Sequence, residues 1–221
     1  MKKIHYRNIG FPKTGTNWLW LQFYKHPLVD CKLGSNFKEY RGNSIESYKK
    51  SYEKYDVSVN LDVHLYDIHV PDDHYLNTNN IHEHTTHVTM ILRNPYEVIN
   101  SIYNMEKNRN VNYKLSQNEH IEKCYKTYSA TNSIFNRWDS CKLPVKYMFY
   151  DDLKNDPENF FYDICDHIGL KRYYKDIGIK FKTEINDPLT FDNSETIKYI
   201  NTGISVIEDR LNRDLSHWKK Q

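Results

Sequence analysis

Gly10-Phe11-Pro12-Lys13-Thr14-Gly15-Thr16-Asn17-Trp18 stands between a short strand pattern ending near Ile9 and an amphipathic segment, Thr16 to Lys25, whose apolar face is Trp18, Leu19, Leu21 and Phe23. A strand, a tight loop and a helix start in that order bring the first N–H groups of the helix, which have no intrahelical acceptor, to the mouth of the loop. The helix dipole makes the same end attractive to negative charge. Lys13 and the hydroxyls of Thr14 and Thr16 complete a shell suited to a phosphate or a similar tetrahedral anion. Taken alone, so short a stretch fits a capped turn with a surface lysine equally well. Its surroundings have to decide.

Downstream, Val57, Val59 and Leu61 alternate with Ser58 and Asn60 across Asp56–Leu61, the period of a half-buried strand. His87–Leu92 carries Val88, Met90, Ile91 and Leu92 in a nearly continuous apolar run, as expected of a strand covered on both faces. Asn94 and Pro95 then supply an N-cap and a proline for the first helical position, and the helix is predicted to run through Val98, Ile99, Ile102, Tyr103 and Met105. A longer helix is predicted over Asn118–Ser140, with Ile121, Cys124, Tyr125, Tyr128, Ile134, Phe135 and Trp138 facing inward. After Pro144 a strand is predicted over Val145–Tyr150. Asp156-Pro157 repeats the cap-and-proline signature and opens a helix with Phe160, Phe161, Ile164, Cys165 and Ile168 inside, closed by Gly169. A last helix is predicted from Glu195 to Trp218. Strands alternating with helices predict an α/β fold, a parallel sheet flanked by helices. The polar, irregular stretches Leu33–Ser51 and Tyr66–Thr86 fall where such folds place substrate loops.

At 221 residues, with no repeat and no Gly/Ser linker, the chain is expected to form a single domain, 1–221. A charged fraction of 27% and a mean hydropathy of −0.84 predict a polar surface, and no apolar run reaches the roughly 18 residues that a membrane span needs. His5, Arg7 and Asn8 stand where a secretory leader requires an apolar core, so a cytoplasmic location is expected. A net charge of +2 is too small for a broad nucleic-acid-binding face, which leaves a local anion site. Cys31, Cys124, Cys141 and Cys165 form no CxxC pair and read as reduced structural thiols. His82, His84 and His87 have a spacing that zinc can use, yet neither a cysteine nor a helical HExxH accompanies them, and no metal is expected. Nothing in the sequence marks an oligomeric state.

The Gly10–Trp18 stretch is not a Walker A loop, where four residues separate an earlier Gly from Gly-Lys-Ser/Thr and a hydroxyl beside the lysine holds magnesium. Here Lys13 precedes Gly15 by two positions. Lys13-Thr14 retains part of that arrangement, so a small P-loop nucleotide kinase stays open as an alternative, as does a non-catalytic nucleotide-binding module. Pro12-Lys13-Thr14-Gly15-Thr16-Asn17-Trp18 resembles the Pro-Lys-Ser-Gly-Thr-Thr-Trp loop of sulfotransferases that use 3′-phosphoadenosine 5′-phosphosulfate (PAPS). The resemblance implies a P-loop NTPase-like sulfotransferase fold and transfer of a sulfuryl group from PAPS to a hydroxyl or amine. The acceptor would be a small molecule or carbohydrate, the nucleotide product 3′-phosphoadenosine 5′-phosphate (PAP), with no metal required. By the same resemblance Pro12, Lys13, Thr14, Gly15, Thr16 and Asn17 hold the 5′-phosphosulfate end, Lys13 neutralises charge growing on the bridging oxygen, and Trp18 stacks on adenine. On residue type, Trp18 fits a core aromatic of an amphipathic helix as well.

Arg93-Asn94-Pro95, with Ser101 eight positions after the arginine, resembles the family's second motif and implies that Arg93 and Ser101 hold the 3′-phosphate. Tyr147 to Pro157 resembles the family's strand ending in Tyr-Glu-Asp-Leu before a proline-opened helix, which implies Tyr150 near the adenine. Transfer needs a base within hydrogen-bond reach of the acceptor. Ile68-His69-Val70-Pro71 resembles the family's Thr-His-Leu-Pro and implies His69; His64, nearer the strand that ends at Leu61, is its rival, and Asp62 is a further candidate. The Arg-Lys-Gly segment that closes over the 3′-phosphate in cytosolic members is absent, although Arg210, Arg213, Lys219 and Lys220 bring charge to the same part of the chain. The chain is expected to diverge from the cytosolic branch.

Overall fold

The computed structural model describes residues 4–9, 11, 13–29, 57–60, 86–109, 112–129, 135, 143–178 and 188–221, with the backbone alone at 4, 5, 7, 9, 57–60, 127 and 128. The chain divides into two compact units that interleave in sequence: 1–10, 15–91 and 143–180 form the first, and 11–14, 92–142 and 181–221 the second.

The first unit is built on strands β1 (Ile4–Ile9), β2 (Val57–Asn60), β3 (His87–Leu92, its last residue passing to the second unit) and β4 (Val145–Phe149), in the sheet order β2-β1-β3-β4. β1 pairs in parallel with both neighbours, Ile4 opposite Val57 and Tyr6 opposite His87. β3 is buried at every position after His87, the mark of a strand covered on both faces. Inside the sheet the Tyr6 hydroxyl is bonded to the Thr89 hydroxyl, and Thr89 donates in turn to Asn8 Oδ1 at 3.0 Å.

Helix α1 (Thr16–Lys25) buries Thr16, Trp18, Leu19, Gln22 and Phe23, a face of period 3.6. Gln22 takes the inner place expected of Leu21 because its amide donates to the Lys175 carbonyl at 3.0 Å. His26 extends the same seam, its Nε2 bonded to the Lys171 carbonyl at 2.8 Å. Phe23 meets Tyr6 and Phe161, each at 5.1 Å between ring centroids. Burying one such ring contributes about 1.5–3 kcal/mol. The strand predicted over Val145–Tyr150 stops at Phe149, and Tyr150 opens a short helix, α4 (Tyr150–Asn155), which Phe149 precedes without a side-chain cap. Helix α5 (Pro157–Ile168) begins as predicted: Asp156 accepts from the Asn159 amide at 3.1 Å. It ends at Gly169, φ 72, with the Leu170 amide reaching back to the Cys165 carbonyl at 2.8 Å.

The second unit packs helices α2 (Pro95–Arg109), α3 (Gln117–Ser129) and α6 (Ser194–Leu211). Asn94 caps α2, accepting from the Tyr96 amide at 3.0 Å, and Asn193 caps α6, accepting from Glu195 and Thr196. α3 and α6 approach so closely that a Cβ on Gly203 would lie 2.5 Å from the Ser129 carbonyl oxygen. The helix predicted over Asn118–Ser140 is described only to Ser129 and again at Phe135; Ile134 and Trp138 lie outside the described residues. The last helix ends earlier than predicted. Asn212 turns left-handed at φ 47, and a separate 3-10 turn covers Ser216–Trp218. Among the described residues no helix is long and apolar enough to cross a membrane.

Candidate functional site

The loop after β1 is shaped by alternating backbone handedness. Lys13 has φ 68 and Gly15 φ 88, with Thr14 between them outside the left-handed region. Alternation of this kind is the backbone pattern from which anion-binding concavities are built. Thr14 is fully buried and its hydroxyl donates to the Phe11 carbonyl at 2.9 Å, closing the turn. The first helical bond of α1 runs from the Leu19 amide to the Gly15 carbonyl at 3.0 Å, so the amides of Thr16, Asn17 and Trp18 precede it. No side chain caps this helix start.

The second unit holds the lysine half. Arg93 donates from one terminal nitrogen to the Lys13 carbonyl at 2.6 Å and from Nε to a Glu97 carboxylate oxygen at 2.9 Å. Residues eighty positions apart thus meet at one turn. Burial is the main cause holding the Lys13 ammonium below the usual lysine range, and the positive charges of Arg109 and then Arg93 add to it. An anion placed among these cations would relieve the repulsion and favour charged Lys13. Ser101 lies on α2 two turns beyond Asn94, roughly 10 Å along the helix axis.

The first unit holds the glycine half. A Cβ on Gly15 would stand 2.6 Å from Leu153 Cδ2 and 3.3 Å from the ring of Tyr150, so α4 fills the space beside the turn. Tyr150 is buried, with the Lys154 ammonium 5.6 Å from its ring centroid. Trp18 is only 3% exposed and meets Phe160 and Phe161 edge-on, with centroids at 6.1 and 6.2 Å. Burial among these rings suits a core aromatic, one of the two roles its residue type allows.

The structure therefore groups Lys13, Thr14 and Arg93 in one unit and Gly15 and Tyr150 in the other. Pro12, His64 and His69, together with Asp62, His82 and His84, lie outside the described residues. Among those described, no group of His, Cys, Asp or Glu side chains could hold a metal ion. Sequence reasoning did not single out Glu97 or Leu153. The signal for Glu97 was its i+4 spacing from Arg93; Leu153 is the leucine of the Tyr150-Asp151-Asp152-Leu153 motif.

Residues 8–178 match the model of the sulfotransferase domain family. The fold is similar to that of a sulfotransferase from Alicyclobacillus acidocaldarius, with TM-score 0.68, 15% identity and 100% of both chains covered. It is also similar to the sulfotransferase domain of the Synechococcus PCC 7002 olefin synthase, with TM-score 0.51, 14% identity and 97% of both chains covered. The sulfotransferase domain of the curacin biosynthetic pathway matches with TM-score 0.51 and 14% identity over 87% of this chain and 79% of that one. At such identities the likeness is one of fold. No curated protein sequence matches the chain.

Proposed function

We propose that this chain, which belongs to the sulfotransferase family and is by that membership a transferase enzyme, moves a sulfuryl group from PAPS to a hydroxyl or amine of a small-molecule or carbohydrate acceptor. The observation that carries the reading is the contact of Arg93 with the Lys13 carbonyl, which joins at one turn the two motifs that the resemblance assigns to the nucleotide's phosphates. The donor set fits a nucleotide with phosphate-like groups. Lys13 and Arg93 bring positive charge, the loop's handedness alternates, and Leu153 leaves Gly15 no room for a side chain.

When bound, PAPS supplies a sulfuryl group already attached to a good leaving phosphate. The chain supplies position and charge. The amides at the start of α1 and the Lys13 ammonium would face the 5′-phosphosulfate end, where negative charge grows on the bridging oxygen as transfer proceeds. Arg93 and Ser101 would face the 3′-phosphate, and Tyr150 the adenine. Trp18, which packs α1 against Phe160 and Phe161, is the residue that the resemblance pairs with the adenine ring. The acceptor's proton passes to a base, for which His69 is proposed ahead of His64 and Asp62.

PAP should raise the melting temperature without magnesium by roughly 5–10 °C at a hundredfold excess over Kd. Lys13→Ala or Arg93→Ala should each remove most of that rise. No stabilisation at millimolar PAP would sink the reading, and a larger rise with magnesium and ATP would favour a nucleotide kinase instead.

A further inference from the structure

Arg93 can grip the Lys13 carbonyl only if the first turn of α2 is itself held in place, and the holding contacts lead to the segment that follows α6. Asn94, which caps α2, donates its amide to the Trp218 carbonyl at 3.4 Å. The Tyr96 hydroxyl donates to Asn201 Oδ1 at 2.9 Å and approaches the Ile197 carbonyl at 3.3 Å. Asn201 in turn binds Lys220 through its backbone, donating to the carbonyl at 2.7 Å and accepting from the amide at 3.3 Å. The Lys220 ammonium lies 5.3 Å from the centroid of Tyr96 and 4.7 Å from that of Phe191, two rings that meet edge-on at 4.9 Å. Leu215 and Trp218 are buried, the Leu215 amide donates to Glu208 at 2.7 Å, and Lys219 pairs with the same carboxylate. All of these residues belong to the second unit.

We propose that Trp218–Lys220, together with Asn201 and Tyr96, forms a positioning strap that sets the grip of Arg93 on the Lys13 turn. The strap touches Asn94 and Tyr96, on either side of Pro95, and so fixes where the backbone of Arg93 starts. Residues to which no anion contact is assigned thereby tune the loop. Removing the Lys220 ammonium or the Tyr96 hydroxyl loosens the first turn of α2 and leaves the hydrophobic packing of Tyr96 and Phe191 in place.

The first test needs no ligand. In ¹H–¹⁵N spectra of the full chain, Lys220→Ala and Tyr96→Phe should each move the amide resonances of Lys13, Thr14 and Gly15 while those of β1 keep their positions. Lys220→Arg, which keeps a cation over the two rings, should restore the wild-type positions. Unchanged resonances in both loss variants would overturn the strap. A second test rests on the proposed nucleotide reading: the PAP Kd should rise about 3- to 10-fold in Lys220→Ala and Tyr96→Phe, the loss expected for one weakened polar contact, and return with Lys220→Arg. A PAP Kd equal to wild type in both loss variants would equally count against the strap. If the wild-type chain binds no PAP, the donor assignment fails, and the amide spectra still decide the strap.

Discussion

Lys13 at φ 68 and Gly15 at φ 88 lie two residues apart in one loop, and the molecule secures them by different means. The lysine turn is held by polar contacts, through the guanidinium of Arg93 on its carbonyl and the Thr14 hydroxyl on Phe11. The glycine turn is held by volume, because Leu153 and Tyr150 occupy the place a side chain would need. A polar hold tolerates a change of side chain at the residue it grips, since only the backbone is engaged. A packed hold does not. The loop thus leaves a choice of side chain at Lys13 and removes it at Gly15.

Gly15→Ala should do the most damage. It combines a left-handed alanine with overpacking against Leu153, together roughly 2–5 kcal/mol, read as a fall in the urea midpoint. In a Leu153→Ala background the steric part disappears and the same substitution should cost only about 1–2 kcal/mol. Equal costs in the two backgrounds would mean that packing does not hold this turn.

Acid sharpens the contrast at a smaller magnitude. His26, His120 and His167 are each bonded to a backbone carbonyl and held below the usual histidine range, with burial the first cause in every case. Between their folded values and the ordinary 6.5 the unfolded chain binds more protons. Stability from these groups is therefore complete above about pH 6.5 and drains away as pH falls through it. Urea midpoints at pH 5 should lie below those at pH 7.5, whereas the cost of Gly15→Ala should be the same at both. A pH-dependent cost would show that the glycine turn is coupled to a titrating group after all.

Lys13→Gly should be the mildest change to the fold. It removes the left-handed strain while retaining the carbonyl that Arg93 grips, so stability should stay level or rise by up to about 1 kcal/mol. The PAP-induced rise in melting temperature should still be lost. A marked destabilisation would show that the lysine side chain, and not its backbone, secures the turn.

Much of the fold could be read from local chemistry. Thr16–Lys25 and His87–Leu92 appear with the bounds that their periodicity suggested, and Asn94-Pro95 and Asp156-Pro157 cap helices as their residue types require. The failures share a cause. Tyr150 favours strands and Phe149 offers no capping side chain, so nothing local announced α4. The sequence predicts the last helix past Leu211 because the charged and apolar rhythm continues, although Asn212 is a residue that tolerates the left-handed stop. In the site, residue types pointed to Lys13, Thr14, Gly15 and Arg93. No sequence pattern foretells a lysine at positive φ, or a guanidinium spent partly on a backbone carbonyl eighty residues away. Trp18 is buried, as its helical spacing predicts, while the motif it belongs to implies a ring that stacks on adenine.

Thr89, bonded to both Tyr6 and Asn8 within the sheet, serves as a gauge mark. Two parallel strands can slide by two residues and keep their faces, a step of roughly 6.6 Å. Here such a slide would leave buried hydroxyl and amide groups without partners, at about 1–3 kcal/mol each. The polar cluster therefore locks β1 and β3 into the one register that sets Asn8 opposite Thr89 and Tyr6 opposite His87.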